Sequence, residues 1–243
     1  MLNDTSLFKD DILNTFIIHL PHTSFNLPDN NFLISGDDLQ RELLLSTDVE
    51  VDKIFNIPQI QNHVCHFSRL FCDVEKLLKY EPYDIKGRGI LYTKTIDDRD
   101  LRDFNQSIYW DIITQYYIPY HNEIYEKVST ILKNNGVVRI IDAHSFNGFD
   151  TNIDFSIGTD NFHTPKYLSD FVINFLKNKG FNVVTNKPYS GTYVPMPFFN
   201  IDVDVHSVMI EINKKLYCNI NGNPINTLVN ELNGLMKEMF NSL

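Results

Sequence analysis

The chain has 243 residues, 43% apolar and 13% aromatic, which excludes a disordered polypeptide and suffices for a sizeable core. Its formal charge of −10 speaks against a nucleic-acid partner, because phosphate binding needs clustered Lys and Arg. No repeat, low-complexity block or Gly/Ser linker divides the sequence, so a single domain over 1–243 is expected. Three cysteines, Cys65, Cys72 and Cys218, occur without a CxxC pair. They read as free, mostly buried thiols and fit a cytoplasmic protein better than a disulfide framework. The first residues, "MLNDTSLFKDD", are acidic, and the apolar run after them is too short for a signal peptide. No stretch approaches the ~20 apolar residues of a membrane span, so no membrane partner is expected.

In chain order, "TFIIHL" (15–20) is the first apolar strand, expected at the centre of the sheet, and it leads into Pro21-His22-Thr23-Ser24. "DDLQRELLL" reads as a helix opened by capping-type Asp residues. "HVCHFSRLF" (63–71) reads as a second strand. From about Leu101 to Asn135, apolar residues such as Ile108, Ile112, Tyr116, Tyr120, Ile124, Val128 and Ile131 recur at helical spacing. Pro119 should kink or break that helix, and Asn134-Asn135-Gly136 should stop it. Then come the strands "VVRIIDAH" (137–144) and "DFSIG" (154–158) and a helix with Thr164 as N-cap, Pro165 at N1 and Gly180 at its end. The strands "FNVVT" (181–185) and "VHSVMIEIN" (205–213) and a terminal helix, "NTLVNELNGLMKEMF", close the chain. Near-continuous apolar strands alternating with helices predict an α/β fold with a mainly parallel sheet. Sites in such folds lie beyond the carboxyl ends of strands.

Polar residues fall at three of those ends. One strand delivers His22, another Asp142, His144 and Ser145, and the last carries Glu211 within an apolar run. A catalytic zinc takes two neutral imidazoles and a carboxylate, leaves a position for water, and works beside an unligated acid acting as general base. The stretch "STDVEVDKIF" offers Asp48, Glu50 and Asp52 as the third ligand, and spacing does not choose among them. Glu211 needs a partner or a task, because a buried lone carboxylate costs several kcal/mol. Asp142, two residues before His144, shares its side of the strand and is placed to orient a ligand; His206 points to the face opposite Glu211. His163, near a helix start, is a candidate for the mouth of the site.

The segments "LPHTSFNLP", "STDVEVDKIF", "FSRLFCD", "YYIPYHNEI", "IIDAHS", "IGTD", "NKPYSGTY" and "VMIEINKKLY" resemble, in order, those of the N-formylglutamate amidohydrolase family, from about Phe16 to Tyr217. The resemblance implies a zinc carboxypeptidase-like, mixed α/β sheet flanked by helices, with one catalytic Zn²⁺ per chain. It matches His22, Asp48 and His144 to the metal ligands, prefers Asp48 over Asp52, and matches Glu211 to the general base. Arg69 and His121 become candidates for a substrate- or oxyanion-binding group, with an Arg69–Asp73 ion pair and a helix cap as their plain structural alternatives. Asn186 and the loop bearing Tyr189, Gly191 and Thr192 would form one wall of the pocket. The implied substrate is a small N-acyl amino acid. The alternatives are a zinc amidase or peptidase on another small peptide-like substrate and a non-catalytic metal- or ligand-binding homologue; the sequence does not choose between monomer and homodimer. Two departures bear on the substrate: the family often has "DLNR" where this chain has Asp73-Val74-Glu75-Lys76, and a second glycine where it has Thr192.

Overall fold

The computed structural model describes residues 12–29, 31–78 and 86–243; the N-terminal segment read above as lacking a leader lies outside them. Within the chain the described residues gather into two compact units, one of residues 12–20, 50–63 and 125–243 and one of 21–49 and 64–124.

The first unit is built on a six-stranded sheet. Its strands are β1 (Phe16–Leu20), β2 (Gln61–Val64), β3 (Val138–Phe146), β4 (Phe155–Gly158), β5 (Val183–Thr185) and β6 (Val205–Asn213), in the order β2-β1-β3-β6-β4-β5. β3 runs parallel to β1 and β6, β4 is parallel to β5, and β4 meets β6 antiparallel, so the sheet is mixed but mostly parallel. The centre is the β3–β6 pair and not β1, which lies next to the β2 edge. The nine-residue β3 and β6 are buried almost throughout, which explains their near-continuous apolar sequences.

Alternation sorts the residues of these strands onto two faces. Phe16, Ile18, Ile141, Ala143, Val208, Ile210 and Ile212 share one face, and Phe16 meets the ring of Phe240 edge-on at 5.6 Å. Phe240 belongs to α6 (Asn226–Asn241), whose buried stripe is Val229, Leu232, Met236, Met239 and Phe240. The short α2 (Val51–Ile54) is tied to α6 by Asn233, whose side-chain amide donates to the carbonyls of Lys53 and Ile54. α5 (Lys166–Asn178) begins one residue later than predicted: Pro165 is its N-cap, and the Thr164 hydroxyl instead donates to the Ser207 carbonyl at 2.7 Å. Gly180 ends it as expected, at φ +88°, where Phe181 N–H reaches back to the Leu176 carbonyl.

The second unit contains α1 (Gly36–Ser46) and α3 (Gln106–Ile112). Ser35, not an Asp, is the N-cap of α1; Asp37 and Asp38 occupy its first turn, where the helix dipole favours them. α3 starts at Gln106, because the Asn105 side chain accepts the N–H groups of Ser107 and Ile108. Pro119 does not break the helix. A π-helical turn over Ile113–Tyr117 precedes it, with Ile118 N–H bonded five residues back to Ile113, and α4 (Ile118–Asn135) continues to the predicted stop at Gly136. The widened turn accommodates a ring that has no N–H to give. The predicted strand 63–71 survives only as the end of β2. Beyond Val64 the backbone turns on itself, with Phe71 and Cys72 N–H on the Ser68 carbonyl, and Cys65, Phe67, Phe71 and Cys72 join Ile112, Ile113 and Tyr117 in a core of their own. All three cysteines are free and buried, and burial pushes the Cys65 thiol up to about 12. No helix among the described residues is long and apolar enough to cross a membrane.

Candidate functional site

In the first unit, the register of the sheet assembles a polar row on the face opposite α6. His19 of β1 pairs with Asp142 of β3, His144 of β3 pairs with Glu211 of β6, and Glu211 pairs in turn with Ser156 of β4. Neighbours in register point to the same side of a sheet, so five polar side chains from four strands share one face. All are buried, His19 and Ser156 completely.

Asp142 organises the row. Its Oδ1 meets His19 Nδ1 at 2.8 Å and His144 Nε2 at 3.0 Å, and its Oδ2 accepts the Tyr193 backbone N–H at 2.8 Å. Burial alone would raise the pKa of this carboxyl, but His144 and His19 outweigh it and hold the group far below the usual carboxylate range. An ionised carboxylate only accepts, so both imidazole nitrogens facing it carry hydrogen. In neutral His144 this leaves Nδ1 as the lone-pair nitrogen. His19 entered no sequence-level candidate set. A histidine inside an apolar strand is the same kind of signal as Glu211 and would have flagged it.

The second unit holds a buried cluster around Asp73, which is completely buried. Its Oδ1 meets His22 Nε2 at 2.9 Å, and its Oδ2 accepts from Arg69 Nη2 at 2.8 Å and the Tyr92 hydroxyl at 2.9 Å. Burial again opposes ionisation, and Arg69, then His22, overcome it, so Asp73 lies well below the carboxylate range. Asp48 Oδ2 stands 3.7 Å from His22 Nδ1, and the Asp48 N–H donates to the His22 carbonyl at 2.9 Å. Glu75, at one of the departures from the family pattern, brings Oε2 to 3.5 Å from His22 Nε2. Burial and then Arg69 pull the His22 pKa down, but Asp73, Glu75 and Asp48 leave it raised overall. The sequence marks Asp73 only as a partner for Arg69; its tie to His22 depends on a tertiary contact.

Of the three acids that spacing could not separate, Asp48 is the one beside His22; Glu50 pairs with Lys53 at 2.6 Å, and Asp52 lies on α2 in the first unit. Arg69 makes the ion pair with Asp73 that was its structural alternative. His121 follows the π-helical turn with its ring 4.2 Å from that of Tyr117. Asn186, at φ +56°, accepts the Thr159 N–H and donates to the Thr159 hydroxyl, fastening the loop start to the end of β4. Tyr189 is exposed. Gly191 needs to be glycine for its φ of +86°; the tight approach is at Gly158, where a Cβ would stand 2.2 Å from the Gly191 carbonyl. Ser207 donates to the Tyr193 carbonyl at 2.7 Å, so at its 2.7 Å contact with Thr192 the Thr192 hydroxyl is the donor. His163 does not line a mouth: it is buried, bonded to the Val205 carbonyl and the Asn200 N–H. His206 meets the Tyr167 hydroxyl on the face opposite Glu211, as alternation requires.

Histidine and carboxylate donors of the kinds that zinc takes stand in each unit. His22 and His144 each turn Nε2 to a buried carboxylate, the kind of contact that fixes the ring and tautomer of an imidazole. Asp48 adds an oxygen on the Nδ1 side of His22.

The model of the N-formylglutamate amidohydrolase family matches residues 14–218. Among solved structures, the N-formylglutamate amidohydrolase from Ralstonia eutropha JMP134 is similar at a TM-score of 0.80 and 19% identity, over 94% of this chain and 93% of its own. A gene product of Agrobacterium tumefaciens is similar at a TM-score of 0.67 and 19% identity, over 96% and 92% of the two chains. At that identity the likeness speaks for the fold. No curated protein matches the sequence.

Proposed function

The chain belongs to the N-formylglutamate amidohydrolase family, a family of amide hydrolases, and on that footing we propose that it is a zinc-dependent enzyme cleaving the amide of N-formyl-L-glutamate or a related N-acyl amino acid. The observation that carries the reading is Glu211: a carboxylate buried in an apolar strand, in register with a histidine whose ring is anchored by an ionised aspartate.

His22, Asp48 and His144 are the proposed zinc ligands, one ion per chain. When bound, zinc supplies a Lewis acid and lowers the pKa of a coordinated water towards ~7. Glu211 takes the proton of the attacking water as the new C–O bond forms. It delivers that proton to the amide nitrogen as the C–N bond breaks, releasing the amine and the carboxylate, formate in the case of a formyl group. Arg69 and His121 are proposed to bear on the developing oxyanion or the substrate carboxylate. Asn186, Tyr189, Gly191 and Thr192 are proposed to shape the wall against the amino-acid side chain. Three unpaired thiols favour a reducing compartment, the cytoplasm, as its setting.

Two features favour a second substrate reading, another N-acyl amino acid or small peptide. Thr192 adds a side chain to the pocket loop, and Arg69 already spends two donors on Asp73. Release of free amine from N-formyl-L-glutamate and a panel of N-acyl amino acids and dipeptides separates the readings. The proposal expects Glu211→Gln to lower kcat by about 10²–10⁴-fold with zinc retained. Undiminished activity in that variant or in metal-free protein would sink it.

A further inference from the structure

We infer that His19 is a positioning residue for the proposed zinc site: it fixes the plane of Asp142 and thereby the tautomer and direction of His144. The inference rests on the zinc reading and deepens it.

A carboxylate that holds one imidazole through one oxygen can still turn about its Cβ–Cγ bond. Asp142 is held at both oxygens. His144 and His19 share Oδ1 from two strands, and Tyr193 N–H takes Oδ2. His19 is itself immobilised. It is completely buried, in register with Asp142, and its ring stacks on that of Tyr193 at 4.0 Å and 20°. The His63 ring also lies nearly parallel to that of His19 at 6.2 Å, and His63 Nδ1 faces Lys127 Nζ at 3.3 Å. His19, Asp142 and Tyr193 therefore close a triangle: imidazole to carboxylate, carboxylate to backbone N–H, and the same residue's ring back to the imidazole. Removing the His19 donor opens it and leaves the plane of the carboxylate to one backbone N–H and to the very ring, His144, that it orients. The His144 ring can then tilt, and its Nε2–H form is no longer enforced.

The test uses three variants of the full chain. His19→Phe keeps a ring but deletes the donor; His19→Asn puts an amide N–H near the position of Nδ1; His19→Gln puts it one bond too far. Zinc affinity is read on metal-free protein by competition with a chromogenic chelator. The expected result is a loss of about 10- to 100-fold for the Phe and Gln variants and near wild-type affinity for Asn. ¹⁵N shifts of the His144 ring in metal-free protein should show the Nε2–H tautomer in the wild type and Asn variant and a mixture in Phe. Equal affinity in all four proteins overturns the proposal. So does an equal loss in all three variants, which would mark a packing role. If His19→Phe does not fold, the Asn–Gln contrast decides. A wild type without zinc affinity overturns the zinc reading itself, and only then does the wild type fail.

Discussion

Asp73 and Asp142 are buried yet held ionised, Asp73 by Arg69 and His22 and Asp142 by two imidazoles and a backbone N–H. Such a cluster is tolerant of nothing that removes one member. Asp73→Asn would leave the partly buried Arg69 without its counter-charge, and the single amide oxygen cannot serve both Arg69 and His22. We expect a loss of about 3–5 kcal/mol in urea unfolding, partly recovered by adding Arg69→Met, which removes the stranded cation. Glu42 is the opposite case. It is buried with Oε1 on the Ile96 N–H and, among the described residues, Oε2 without a hydrogen bond, and burial raises its pKa. The folded protein therefore holds this proton more tightly than the unfolded chain. Stability contributed by Glu42 is greatest below the unfolded carboxyl value and falls as pH rises through the raised folded one. Glu42→Gln should thus raise the melting temperature at pH 7, and the difference from wild type should shrink as pH falls towards 4. A difference that grows at low pH would contradict the assignment. Apolar context exposed Glu211 as unusual from sequence. Glu42 and Asp73 gave no such signal, because their neighbours in sequence are ordinary helix and loop residues.

At the scale of elements, strand positions were legible because a buried strand writes an apolar run into the sequence, and five of the six expected strands lie within a residue or two of their predicted bounds. The sixth, 63–71, shows the limit: its apolar residues are buried, but in a loop core where alternation carries no meaning. Pro119 shows another, since a helix breaker is absorbed once the preceding turn widens to a π-helix. The join between β4 and the loop of Gly191 and Thr192, proposed as a wall of the site, is the element-level contact most open to test. Gly158→Ala would drive a Cβ into the Gly191 carbonyl, and real contacts are never 2.2 Å. It should cost about 1–3 kcal/mol and, through the Thr192–Ser207 and Tyr193–Asp142 bonds, raise KM more than it changes secondary structure. Circular dichroism with steady-state kinetics reads both.

For the whole molecule, the zinc proposal predicts that metal binding and folding are linked. Protein purified without added metal should carry about one zinc per chain, and a chelator should lower the melting temperature and abolish hydrolysis together. With free zinc at about 1,000 times its Kd the linkage is about 4 kcal/mol, a shift readily measured. A chelated protein with unchanged melting temperature and activity would refute it. What the sequence determined by itself is what local composition encodes: the α/β class, the strands and their punctuation, the acidic charge, and a family resemblance spread over most of the chain. It also marked His22, His144 and Glu211, because a polar residue at or inside an apolar strand is visible without a fold. Only the tertiary structure decided which strands are neighbours. That put His19 on Asp142 across 123 residues and Glu211 beside His144 across 67. Those pairings depend on sheet order and register, which arise from packing of the whole chain and leave no short-range trace in it.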